Sequence, residues 1–210
     1  MASLRYVAVE GPIGSGKTSL ARRLAERFGA DALLEQPGEN PFLERFYRDM
    51  ARHALPTQLF FLFQRARQLE PLAQPDIFGR PVVADFLLEK DPLFARITLS
   101  ADELALYQRI YDALRPQAPV PDLVVYLQAS PRTLVERVRQ RAAAWERGIS
   151  EEYLAMLAEG YARFFHSYGA APVLIVNSEN LNFVEREADL DLLLERVRGM
   201  KSRREYFSLG

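Results

Sequence analysis

The sequence predicts an α/β fold in which a five-stranded parallel sheet is flanked by helices. Three observations carry this reading. Apolar, β-prone runs alternate with stretches of helical period along the chain. The first run leads directly into Gly11-Pro12-Ile13-Gly14-Ser15-Gly16-Lys17-Thr18, which fits the phosphate-binding pattern G-x-x-x-x-G-K-[ST], with Ser19 following. Cysteine is absent and no apolar run approaches the roughly 20 residues of a membrane span. Neither a disulfide scaffold nor a helical membrane protein competes.

At 210 residues the chain suits a single domain spanning 1–210, with room for a small lid. A net charge of −1 argues against a general nucleic-acid binder, and a cytoplasmic protein is expected. Lysine occurs only at positions 17, 90 and 201, every other basic side chain apart from two histidines being arginine. In a chain that prefers arginine, Lys17 keeps the compact point charge that suits a place among phosphates.

Residues 5–10 form the first expected strand, and 19–28 place apolar residues at helical spacing before Gly29 stops the helix. Strand, glycine loop and helix N-terminus together make an anion site: backbone N–H groups converge, Lys17 reaches the outer phosphates and the Thr18 hydroxyl can ligate Mg²⁺. Residues 32–35 read as a second strand ending in Glu35, on the sheet edge where such folds bind ligands. A carboxylate there can take a proton from an attacking hydroxyl, or be a solvated loop charge.

Residues 43–53 and 56–69 are expected helices, the second apolar almost all round and hence buried. Gln58 and Arg65 stand seven apart on one face, needing partners in a ligand or in the protein. Residues 80–86 form a third strand with Asp85 at its end, the position of an acid that holds Mg²⁺ beside a phosphate loop. Helices follow over 92–99 and 101–114, broken by the proline-rich run 116–121. Residues 122–127 are the fourth strand, and Ser130 with Pro131 opens a helix as N-cap and N1 residue. Arg137 and Arg141, four apart on one face, suit charge stabilisation on a transferring phosphoryl group or a plain charged face, and Trp145 reads as packing. A helix over 150–168, interrupted near Gly160, a fifth strand over 171–176, the loop 177–180 and a helix over 189–197 complete the chain. His53 and His166 lack neighbours at metal-ligand spacing.

On these motifs the chain resembles the deoxynucleoside kinase family, nearest its bacterial deoxyadenosine/deoxyguanosine kinase branch. The resemblance spans nearly the whole length and implies a P-loop kinase with an arginine-bearing lid over about 137–148. It implies ATP and Mg²⁺ as cofactors, a deoxynucleoside acceptor and a homodimer. Carried over residue by residue, Glu35 is the base, Tyr47 and Glu146 meet the sugar 3′-hydroxyl, Gln58 reads the nucleobase edge, and Arg65 matches the family's substrate-binding arginine seven residues later. Phe94 stacks on that base, and Arg137 and Arg141 clamp the phosphates. The match departs from the family at Ala84-Asp85-Phe86, where many members carry an acidic residue followed by arginine; the arginine is missing here, and a further lid arginine is Ala143. The base-site acid aligns with Asp91 or with none, Lys90 competing for that alignment. Rival readings are a nucleoside monophosphate kinase of thymidylate-kinase type and a non-catalytic nucleotide-binding subunit. A GTPase would carry Asn-Lys-x-Asp, which is absent.

Overall fold

The computed structural model describes residues 4–73, 79–115, 119–146 and 148–209. Its centre is a parallel sheet of β1 (Tyr6–Glu10), β2 (Asp31–Leu33), β3 (Val82–Ala84), β4 (Leu123–Gln128), β5 (Val173–Asn177) and β6 (Arg204–Phe207). The order across the sheet is β2-β3-β1-β4-β5-β6, every neighbouring pair parallel. The sheet therefore has six strands where five are expected. The sixth, Arg204-Glu205-Tyr206-Phe207, has no apolar run because it is an edge strand with Tyr206 two-thirds exposed.

Alternation along the central strands sorts side chains between two cores. Val7, Val9, Val125 and Leu127 pack with α1 (Lys17–Phe28) and α8 (Glu187–Gly199) on one face. Ala8, Val124 and Tyr126 pack on the other with α7 (Glu151–Ser167). Burial on both faces is why these strands read as unbroken apolar runs.

The remaining helices are α2 (Leu43–Arg48), α3 (Met50–Leu69), α4 (Asp91–Thr98), α5 (Ala101–Leu114) and α6 (Pro131–Arg141). Of these, α2, α3, α4 and α6 line a cavity beside the phosphate loop and α5 packs behind α3 and α4. The break expected at Pro56 falls instead at Asp49, whose side chain caps α3 by accepting from the Arg52 N–H at 3.3 Å. Pro56 is carried inside α3. Nor does Gly160 interrupt α7. A Cβ there would stand 3.3 Å from Leu93 and Ile97, so its bare backbone lets α4 approach. Residues 116–118 of the break expected over 116–121, and Arg147 of the lid, lie outside the described residues. Among the described residues no helix is long and apolar enough to cross a membrane.

Candidate active site

The phosphate loop sits between β1 and α1, and two of its glycines are dictated by close approach. At Gly11, φ is +154° and a Cβ would lie 2.4 Å from the Leu127 carbonyl oxygen. At Gly14, φ is +89° and a Cβ would lie 2.9 Å from the Leu134 carbonyl, against α6. Helix α1 starts at Lys17, aiming its N-terminus at the loop. Lys17 donates to the Pro12 carbonyl at 3.3 Å, and burial, then Lys90, lowers its pKa against the pull of Glu10, Glu35 and Asp85.

Asp85, one residue past β3, joins the loop to the second strand. Its Oδ2 accepts from the Thr18 hydroxyl at 2.5 Å and its Oδ1 from the Glu35 backbone N–H at 2.7 Å. That second bond also ends β2 at Leu33, because the next ladder donor, Glu35 N–H, is taken by a side chain. Glu35 therefore stands two residues beyond the strand. Burial, then Glu35, raises the Asp85 pKa, while the two accepted bonds and Lys17 oppose the rise.

The Glu35 carboxylate is held on one oxygen only. Its Oε1 receives Arg65 Nε at 2.6 Å, Arg65 Nη2 at 2.5 Å and Lys90 Nζ at 3.1 Å. Its Oε2 has no hydrogen-bond partner among the described residues. Burial alone would raise Glu35, but Arg65, Lys90 and Lys17 outweigh it and hold the group at about 2. Arg65 reaches on through Nη1 to buried Asp91, whose other oxygen is buried without a partner. Burial, only partly offset by Arg65 and Lys90, pushes Asp91 up to about 6. Lys90 also pairs with Glu10 at 3.0 Å. Glu10, fully buried at the end of β1, further accepts from Gly11 N–H, Leu87 N–H and the Tyr161 hydroxyl at 2.8–2.9 Å.

Above these groups lies one cavity, partly open to solvent. It runs from Lys17 and Thr18 past Glu35 and Lys90 to Gln58, Phe94, Tyr47 and Glu146. Gln58 donates to the Thr98 hydroxyl at 3.4 Å, and Phe94 meets Tyr161 edge-on with centroids 6.0 Å apart. Burial, then Glu146, raises the Tyr47 hydroxyl pKa. Arg141, at the end of α6, donates to Glu146 from Nε at 2.9 Å, and the lid closes on α2 at Gly148, where a Cβ would lie 3.0 Å from Tyr47. Trp145, read as packing, lines the same cavity. Arg137 does not join Arg141 there. It donates to the Ser178 carbonyl at 2.6 Å and lines a second cavity with Ser15, Gly16, Asn180 and Phe183 on the other side of the loop.

The structure thus brings Lys17, Thr18, Glu35, Tyr47, Gln58, Arg65, Phe94, Arg141 and Glu146 to one cavity, with Asp85 beneath it. Sequence reasoning missed Glu10 and Lys90. The signal for Lys90 was present, as the second of three lysines in an arginine-rich chain.

A family model described as Deoxynucleoside kinase matches residues 7–200. The chain is 33% identical over 198 residues to deoxyguanosine kinase of Bacillus subtilis (strain 168), covering 92% of this chain and 96% of that one. It is 27% identical over 199 residues to deoxyadenosine/deoxycytidine kinase of the same organism, covering 91% and 90%. In fold it is similar to deoxyadenosine kinase from M. mycoides solved with bound dATP, with a TM-score of 0.80 at 22% identity, covering 93% of this chain and 100% of that one. With the family match spanning the loop, the lid and the sheet as far as β5, the chain belongs to the deoxynucleoside kinase family.

Proposed function

We propose that this deoxynucleoside kinase transfers the γ-phosphoryl group of ATP to the 5′-hydroxyl of a purine deoxynucleoside, releasing ADP and the 5′-monophosphate. The observation that carries the reading is the Glu35 carboxylate: Oε1 is pinned by two cations, while Oε2 is without a partner in a cavity that also reaches Lys17 and Thr18. A hydroxyl donating to Oε2 is oriented towards a phosphate in the loop. Its proton passes to Glu35 as the oxygen bonds to phosphorus and the bond to the bridging oxygen breaks. A carboxylate held near 2 is a weak base, which suits a loose transition state in which the proton leaves late and orientation does most of the work.

Lys17 and Arg141 supply positive charge to the phosphates, and Arg137 with the second cavity takes the far end of the donor. Gln58 and the Arg65–Asp91 pair read the base edge, Phe94 stacks on it, and Tyr47 with Glu146 meets the 3′-hydroxyl. The purine preference follows the relatives named above. A homodimer and a cytoplasmic location are part of the proposal by resemblance.

Mg²⁺ fits the donor set. The Thr18 hydroxyl and the Asp85 carboxylate are hard oxygens held together beside the loop. When bound there the cation would neutralise charge on the triphosphate.

A monophosphate acceptor is less well served. Arg65 and Lys90 are each already paired with two carboxylates, and an acceptor phosphate would have to break one of those pairs. The test is ATP consumption against deoxynucleosides, ribonucleosides and nucleoside monophosphates. Turnover with purine deoxynucleosides is expected. Turnover confined to monophosphates, or binding without turnover, would refute the reading.

A further inference from the structure

Lys90 is almost fully buried, and its ammonium lies 3.0 Å from Glu10 and 3.1 Å from Glu35. Burying a lysine is costly unless it is paired and hydrogen-bonded, and here both partners are carboxylates at opposite ends of one small cluster. Glu10 is fixed by three other donors, from the Gly11 and Leu87 backbones and from Tyr161, so it anchors Lys90 at a set place. Lys90 then shares Oε1 of Glu35 with Arg65.

That sharing has a geometric consequence. A guanidinium beside a carboxylate favours the side-on fork that engages both oxygens. Arg65 instead puts Nε and Nη2 on the same oxygen while Nη1 goes to Asp91. With Lys90 also drawing on Oε1, the carboxylate is turned so that Oε2 is left to the cavity. We propose that Lys90, anchored by Glu10, is the positioning residue that keeps Oε2 of Glu35 available to the acceptor hydroxyl by holding Oε1 against closure of the Arg65 fork. The inference rests on the reading of Glu35 as the group that accepts the hydroxyl proton.

The test is a double-mutant cycle with purified protein, ATP and a purine deoxynucleoside. Lys90→Met is expected to lower kcat about 10²-fold, the size of a small misplacement of a reacting group, with KM for ATP unchanged. Lys90→Arg should restore most of that loss. In a Glu35→Gln background, removing Lys90 should cost little more, because residues that act as a unit are not additive. Lys90→Met leaves Glu10 buried and unpaired, so Lys90→Met/Glu10→Gln, which removes both partners, is measured beside it with thermal melting as the check on folding.

A folded Lys90 variant with undiminished kcat overturns the inference. So does an equal loss in both backgrounds, which would make Lys90 merely structural. Glu35→Gln with undiminished kcat would instead remove the reading of Glu35 itself, so the two failures are told apart.

Discussion

Asp85→Asn tests whether the floor of the site is organised as described. The substitution keeps the size of the side chain and takes away one acceptor oxygen. In the native site both oxygens accept, from the Thr18 hydroxyl at 2.5 Å and the Glu35 N–H at 2.7 Å. The carboxamide can serve only one of these donors; its amino group faces the other. The Glu35 N–H cannot turn round, so the amide oxygen stays with it and the amino group meets Thr18. The Thr18 hydroxyl must then accept, using a lone pair otherwise available to a metal. One charge-assisted bond is lost, about 1.5–3 kcal/mol, which corresponds to roughly 10- to 150-fold in rate. The assay is steady-state turnover at saturating nucleoside with ATP and Mg²⁺ varied independently, beside a melting curve. The expected result is a kcat reduced within that range and a higher Mg²⁺ requirement. Asp85→Ala, which loses both bonds, should be slower still. A folded Asp85→Asn with native kcat and native Mg²⁺ dependence would refute the assignment.

Three further outcomes follow from the geometry. Gly148→Ala places a Cβ 3.0 Å from Tyr47 and pries the lid from α2 at the cost of an overpacked contact, about 1–3 kcal/mol, expected mainly as a raised nucleoside KM; an unchanged KM would show that the lid does not close there. Glu35 is lowered from 4.5 to about 2 in the folded chain, so its stabilising contribution is full above pH 4.5 and is lost as pH falls through 2. The stability gap between native and Glu35→Gln protein should therefore narrow by about 3 kcal/mol between pH 7 and pH 2. Urea midpoints at several pH values measure it, and a constant gap contradicts the ion-pairing described. Trp145 is the chain's single tryptophan and lines the cavity, so saturating nucleoside should shift its emission to shorter wavelength; no shift would place binding elsewhere.

What the sequence disclosed was what is local. The phosphate loop, the buried strands and the capped helices are set by spacing within about ten residues, and these elements lie close to where periodicity puts them. Glu35 and Asp85 were legible as carboxylates near strand ends because the doubly wound fold brings those ends to one edge. That Asp85 holds the Glu35 backbone was not, because the contact spans 50 residues and replaces a ladder bond with a side chain. Lys90 escaped for a related reason. Its partners, Glu10 and Glu35, come from two other segments, and only its rarity as a lysine marked it. Residues 204–207 were lost because half-exposed polar positions carry no apolar signal.

The cluster beneath the cavity has a further bearing on ligand entry. Glu10, Glu35, Asp85 and Asp91 there face Lys17, Lys90 and Arg65, so the floor carries an excess of negative charge before anything binds. A bare triphosphate in the loop is drawn by Lys17 and the N-terminus of α1 and opposed by the carboxylates of Asp85 and Glu35. A divalent cation travelling with the nucleotide would relieve that opposition. The site is thus expected to discriminate between metal-loaded and metal-free donor at the moment of entry, making cation availability a determinant of donor affinity as well as of turnover.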